Sequence, residues 1–332
     1  MQDKRDVTRS AAAQAGERTL PLTLSIVVPC YNEEDVLPET LTRLEEFLER
    51  LITLARISGD SEIVLVDDGS RDGTWALIRS AHERDQRRFR GVKLSANRGH
   101  QTALIAGLWT AAGDVTISID ADLQDDISAM EAMIDAYAQG NDVVYGVRST
   151  RAKDSVFKRS SAESYYRLLA MFGVRIVPNH ADYRLLSRRA LESLKQYSEV
   201  NLFLRGIIPL LGYRSTVVYY ERGERFAGVS KYPLRKMLAL AFDGITSFSA
   251  VPLRLIAMLG LVVSIGSFGL ALWALWAKIV TQRALPGWAS SVIPIYFLGG
   301  LQLLSIGVLG EYVAKLYIET KRRPRYFIEE IL

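Results

Sequence analysis

Two hydrophobic patterns divide this chain. From Leu24 onward, short apolar runs rich in β-branched residues, at positions 24–28, 62–66, 115–119 and 142–145, alternate with stretches of helical spacing such as 36–54 and 74–83. Strands covered on both faces read as unbroken apolar runs, so this alternation predicts an α/β domain with a mostly parallel sheet and crossover helices. Ligands of such sheets sit beyond the carboxyl ends of the strands. Positions 1–21 mix charge with small residues without a period and read as a mobile N-terminal tail.

The C-terminal third follows another rule. Positions 255–277 carry no charged residue and are long enough to cross a hydrocarbon core, which takes about 20 helical residues. A second uncharged stretch covers 284–310; Pro286 and Pro294 place its early part in a loop, with the span at about 291–313. Together they predict a two-helix transmembrane hairpin within 253–316. Arg235, Lys236 and Arg254 precede it and Lys321, Arg322, Arg323 and Arg325 follow it, against Lys278 and Arg283 between the spans. The positive-inside rule then puts both termini and the domain at 22–230 in the cytosol, with 317–332 as a cytosolic tail and Trp273, Trp276 and Trp288 at the outer interface.

Two segments carry one-sided helical stripes. In 153–174, Phe157, Tyr165, Leu168, Leu169 and Phe172 share a face; in 231–252, Leu234, Met237, Leu238, Phe242 and Ile245 do so behind Lys231, Arg235 and Lys236. Each reads either as a helix packed on the sheet or as an amphipathic helix at the membrane interface; adjacency to a span favours the interface for the second.

Composition narrows this only slightly. Among 332 residues, 41 Lys and Arg face 37 Asp and Glu, a surplus too small to argue for nucleic acid. The single cysteine, Cys30, cannot form an intrachain disulfide, and the polar N-terminus lacks a signal-peptide apolar run.

The candidate chemistry lies where the strands end. The first runs into Pro29-Cys30-Tyr31-Asn32-Glu33-Glu34 and the second into Asp67-Asp68-Gly69-Ser70, positions suited to a nucleotide. Taken singly, each also reads as a turn or a helix cap. Asp120-Ala121-Asp122-Leu123-Gln124 follows the strand at 115–119; two carboxylates one residue apart can hold Mg²⁺ or Mn²⁺ together with diphosphate oxygens. A glycine-bearing basic loop, Arg222 to Tyr232, precedes the juxtamembrane segment, and its Arg225, Ser230 and Lys231 suit an acceptor phosphate at a bilayer surface. Asp182-Tyr183-Arg184 reads as a structural salt bridge or as a site element, with nothing in the sequence to choose. His82, His100 and His180 lack metal-ligand spacing, which speaks against zinc.

These motifs, with Asn97-Arg98-Gly99, Tyr145-Gly146-Val147-Arg148, Gly228-Val229-Ser230-Lys231-Tyr232, Gly310-Glu311-Tyr312 and Arg323-Pro324-Arg325-Tyr326, stand in an order that resembles family 2 glycosyltransferases of GT-A (Rossmann-like) fold. The likeness is to polyprenyl-phosphate glycosyltransferases related to dolichyl-phosphate mannose synthase, in the bacterial two-span branch that includes bactoprenol glucosyltransferases, and it covers 22–328. It implies that Pro29, Tyr31, Glu33, Asp67, Asp68 and Asp120 serve the nucleotide sugar, and that Asp120, Asp122 and Gln124 organise the metal. It further implies that Arg148, Arg225, Ser230 and Lys231 face the acceptor phosphate, with Asp122, Arg225 and Lys231 closest to the chemistry. One departure is Asp125-Asp126, where many relatives have Asp-Pro.

The implied reaction is inverting transfer of a hexose, glucose, from a UDP-sugar to undecaprenyl or another polyprenyl phosphate, by a membrane-bound homo-oligomer, a tetramer in the family. The acceptor is mostly a dianion at neutral pH, since its second pKa is about 6, so no general base is expected. The alternatives are GDP-mannose-dependent mannosyl transfer, a processive polysaccharide synthase, and a noncatalytic membrane adaptor or flippase partner. A synthase of that kind usually carries Gln-x-x-Arg-Trp, and this chain has no tryptophan between Trp109 and Trp273.

Overall fold

The computed structural model describes residues 18–149, 180–199, 203–221, 251–276 and 288–332. The interface-helix candidate at 153–174, nearly all of 231–252, and Arg225, Ser230 and Lys231 lie outside the described residues. The chain divides into a sheet unit, which includes the C-terminal residues from Pro324, and a helical unit, which includes Pro233–Arg323.

The sheet has eight strands: β1 (Leu24–Cys30), β2 (Glu62–Asp67), β3 (Phe89–Leu94), β4 (Val115–Ser118), β5 (Val143–Arg148), β6 (His180–Ser187), β7 (Ser215–Tyr220) and β8 (Ile328–Ile331). Their spatial order is β7-β5-β6-β4-β1-β2-β3-β8, and only β6 and β8 run against the rest. Among the described residues, six helices belong to this unit: α1 (Leu37–Thr53), α2 (Thr74–Arg84), α3 (His100–Thr110), α4 (Ala129–Ala138), α5 (Arg188–Lys195) and α6 (Leu204–Leu210). α1 carries Pro38 in its first turn and buries Leu37, Thr40, Leu41, Leu44, Leu48 and Leu51, the one-sided spacing that makes a helix cover a sheet. α3 lies close against the strands at Gly107, where a Cβ would lie 2.4 Å from Val27 Cγ1 and 2.8 Å from Val66 Cγ2.

The register decides what meets what. Cys30 lies opposite Asp67, Ser118 opposite Arg184, and Arg148 opposite Tyr220. The carboxyl ends of β1, β2, β4, β5 and β7 therefore share one end of the sheet with the start of β6. Pro29 lies in central β1, yet its missing N–H removes no ladder bond, because pairing with β4 has already ended at Val27.

Both chain ends depart from the expected tails. Arg18 binds Asp142 at 2.7 Å and stacks over Tyr137, so the sheet unit begins ahead of position 22. At the other end, Ile328–Ile331 joins the sheet as β8, antiparallel to β3, with Lys93 paired to Glu329 and Arg79 to Glu330. An open β3 edge and matched charges draw in a four-residue segment too short to announce itself as a strand.

In the helical unit, α7 spans Val251–Trp276 and α8 spans Trp288–Lys321. The start of α8 corrects the expected loop before Ser291: Pro294 falls inside the helix, and the chain stays helical through Lys321. Among the described residues, the segment Phe297–Lys321 is long and apolar enough to cross a membrane. Leu261, Val262, Ile265 and Phe268 on α7 and Phe297, Leu303, Leu304 and Ile306 on α8 are exposed, large apolar side chains that water alone would not favour.

Candidate active site

The loops after β1 and β2 are stitched together. Asn32, in a left-handed conformation, takes the Ser70 hydroxyl oxygen as acceptor for its N–H at 3.0 Å, and its side-chain oxygen accepts from Arg71 N at 2.9 Å. Glu33 N donates to Thr74 Oγ1 at 2.9 Å, and Glu34 Oε2 accepts from Gly73 N at 2.6 Å. Short polar residues thus satisfy loop N–H groups that no strand can reach. Tyr31 stands out from this seam and is exposed, whereas Pro29 is buried beneath it.

Asp67 and Asp68 lie below the seam, both buried. Asp68 accepts from Arg98 N at 2.7 Å and from Gly99 N at 2.8 Å, fixing the turn that opens α3. Asp67 Oδ1 accepts from Ser70 N at 3.1 Å, while its Oδ2 is buried without a partner. Burial raises the pKa of both carboxyls above the ordinary aspartate value, with the hydrogen bonds opposing it. Gly69 is required here: its φ is +68°, and a Cβ would lie 2.6 Å from Asn97 N.

The Asp-x-Asp loop is held from below. Buried Thr40 of α1 donates to Ala121 O at 2.8 Å, and Leu123, with φ of 56°, turns the chain so that Gln124 N reaches Asp122 Oδ1 at 3.2 Å. Asp120 faces His100, with Nε2 to Oδ1 at 3.4 Å. Burial foremost lifts Asp120 to about 6; His100 opposes the rise, while Asp125, Asp182 and Asp122 add to it. Gln124 and Asp125 line a cleft of about 660 Å³ on the α1 side of the loop, together with Arg43, Arg50, Ser128 and Glu221. Among the described residues, no group of three or more His, Cys, Asp and Glu side chains is placed to hold a metal ion by itself.

The question left open at Asp182-Tyr183-Arg184 is answered by the antiparallel entry of β6. Ser118 Oγ donates to Asp182 O at 2.5 Å, and the Asp182 carboxylate pairs with Arg184 and, at 3.1 Å, with Arg205 of α6. His100 Nε2 lies 3.8 Å from the same carboxylate. Burial alone would raise Asp182, but the two guanidinium groups more than reverse that and hold it well below the usual carboxylate range. Asp182 is therefore held in a structural salt bridge, with His100 beside it.

Arg148 has a partner within the protein. Its Nη2 lies 3.1 Å from Asp125 Oδ1 and its Nε donates to Tyr220 Oη at 3.2 Å, while Tyr220 donates to the same Asp125 oxygen at 2.5 Å. Tyr183 donates to Asp126 O at 2.8 Å and packs edge-on against Tyr220. The residue pair that departs from the family pattern is thus tied down at both positions. No sequence motif marks Arg205, Thr40 or Tyr220 as a site residue. Only His100 carried a signal, since it directly follows Asn97-Arg98-Gly99.

Residues 25–195 match the family model described as glycosyl transferase family 2. The uncharacterized glycosyltransferase YkoT of Bacillus subtilis is 50% identical over 92% of this chain and 91% of its own. The bactoprenol glucosyl transferase of Shigella phage SfV is 40% identical over 93% of this chain and 98% of its own. Among solved structures, a mannosyltransferase from Pyrobaculum calidifontis in complex with GDP-Man and Mn²⁺ aligns over 92% of this chain and 94% of its own, at 17% identity and a TM-score of 0.43, a likeness too distant to bear on chemistry. With the family model covering more than half of the sequence and the relatives nearly all of it, this chain belongs to glycosyl transferase family 2.

Proposed function

We propose that the chain transfers a hexose, glucose, from a UDP-sugar to undecaprenyl or another polyprenyl phosphate at the cytosolic face of the inner membrane, with inversion at the anomeric carbon. The product would be a polyprenyl-phosphate-sugar for cell-envelope glycosylation. The observation that carries this reading is the gathering of the Asp67-Asp68 turn and the Asp120-Ala121-Asp122 loop at one end of the sheet. The 40%-identical bactoprenol glucosyl transferase supports the choice of sugar and acceptor. Helices α7 and α8, read as a two-span hairpin with basic residues beyond each outer end, support a membrane-borne acceptor.

The donor set suits Mg²⁺ or Mn²⁺. Asp120 sits in an excess of negative charge from Asp125, Asp182 and Asp122, and one Asp-x-Asp pair leaves most ligand positions of a hard cation to diphosphate oxygens and water. Asp120 and Asp122, with Gln124 beside them, would hold the ion, and when bound it would offset the charge of the departing diphosphate. The protein's own share is placement. The Asn32–Ser70 seam and Tyr31 bound the nucleoside side, with Glu33 and Asp68 beneath. Arg225, Ser230 and Lys231 would pair the acceptor's charge, with Arg148 set at the end of β5 beside Asp125. The acceptor dianion attacks directly, and holding two anions together in the right geometry is the main catalytic demand.

The test is sugar transfer to undecaprenyl phosphate by the purified chain, comparing UDP-glucose with GDP-mannose, each with and without Mn²⁺, beside Asp122→Ala. UDP-glucose-dependent, cation-dependent transfer that Asp122→Ala abolishes is expected. Preference for GDP-mannose would replace the donor assignment, and full activity in Asp122→Ala would remove the metal assignment.

A further inference from the structure

We propose that His100 is a positioning residue of the transfer site, setting the Asp120 carboxylate through a line of polar contacts that begins at Arg205 and passes through Asp182. The inference rests on the cation and diphosphate reading given above. Four observations carry it. The imidazole stands between two carboxylates, with Nε2 3.4 Å from Asp120 Oδ1 and 3.8 Å from Asp182 Oδ2, groups that would otherwise repel one another. Asp182 is itself fixed, gripped by Arg205 at 3.1 Å and by buried Arg184. The backbone that delivers His100 is fixed from the other side, because Asp68 holds both Arg98 N and Gly99 N. Finally, core packing does not account for the ring's position, since its side chain is 46% exposed.

His100 is the first residue of α3, and the Asp120 and Asp182 carboxylates both face its ring. A ligand carboxylate commonly depends on such an outer contact for its orientation, and removing one typically costs about 10–100-fold in metal affinity or activity.

The experiment measures UDP binding by calorimetry with the full chain in detergent, at a series of Mn²⁺ concentrations and without acceptor. His100→Ala is expected to need about 10–100-fold more Mn²⁺ for half-maximal UDP binding. His100→Gln, whose amide nitrogen can take the place of Nε2, is expected to restore most of that loss. Arg205→Gln should shift the requirement the same way, and His100→Ala/Arg205→Gln should be no worse than His100→Ala alone, because both act along one line. An unchanged Mn²⁺ requirement in His100→Ala, beside an Asp120→Ala control that loses Mn²⁺ dependence, overturns the role of His100 and leaves the cation reading standing. Mn²⁺-independent UDP binding by the unsubstituted chain overturns the cation reading and the inference with it. A loss in His100→Ala that persists at saturating Mn²⁺, or one that His100→Gln fails to restore, also overturns the positioning role.

Discussion

Replacing Arg148 should harm this protein more than neutralising its partner Asp125. The pair is asymmetric: the Asp125 side chain is 1% exposed and that of Arg148 is 31% exposed. In Arg148→Ala the carboxylate stays buried, with Tyr220 donating to Oδ1 and Oδ2 already without a partner. Stranding a buried charge in this way costs about 3–5 kcal/mol. In Asp125→Asn the guanidinium can turn toward water, and what is lost is a charged hydrogen bond, about 1.5–3 kcal/mol. At roughly 2–4 °C per kcal/mol for a domain of about 150–250 residues, Arg148→Ala should lower Tm by about 6–20 °C and Asp125→Asn by about 3–12 °C. The double variant removes the stranded charge and should melt above Arg148→Ala by several degrees. Thermal denaturation followed by intrinsic fluorescence, in one detergent at one pH, reads all three. If Asp125→Asn melts lower than Arg148→Ala, or if the two losses simply add in the double variant, the buried-charge reasoning is wrong.

Other consequences can be tested separately. Gly69→Ala forces a Cβ to within 2.6 Å of Asn97 N at a φ of +68°, so the turn presenting Arg98 and Gly99 must shift; UDP affinity by titration should fall at least about tenfold, and an unchanged affinity would refute the link. Thr40→Val removes the hydroxyl that holds Ala121 O and should cost about 1–3 kcal/mol in denaturant unfolding, with cation-dependent UDP binding weakened as the Asp120-Ala121-Asp122 loop loosens. The Asp120 pKa, raised to about 6 when folded, means that this group's contribution to metal-free stability is present below the unfolded aspartate value near 4 and is lost as pH rises through about 6. Asp120→Asn should therefore gain stability relative to the unsubstituted chain across that window, and equal pH slopes for the two proteins would contradict the shift. Deleting residues 328–332 uncovers the β3 edge and removes the Arg79–Glu330 and Lys93–Glu329 pairs, so the truncated chain should melt lower and aggregate faster by light scattering.

Elements whose information is local are legible from the residues alone. The apolar runs of β1, β2 and β4 are unbroken, and the one-sided spacing with Pro38 placed α1 and α2 to within a residue or so of Leu37–Thr53 and Thr74–Arg84. The loops at 29–34, 67–70 and 120–124 were legible because a parallel sheet puts every strand's carboxyl end on one side. The uncharged stretches at 255–277 and 284–310 announced the long helices in the same local way.

How distant segments complete those loops depends on pairing across the fold, which no local pattern carries. β6 enters against its neighbours, which brings Asp182 beside Ser118 and into reach of Arg205, a residue with no motif around it. Asp125 and Arg148 pair because β5 and β7 run in register and Tyr220 ends opposite Arg148. β8 exists because an open edge and two matched charges accept it, since its four residues Ile-Glu-Glu-Ile carry too little pattern of their own. Periodicity fixes which face a residue lies on, whereas register between strands far apart in the chain fixes its neighbours. The contacts at His100, Asp120 and Asp182 belong to the second kind.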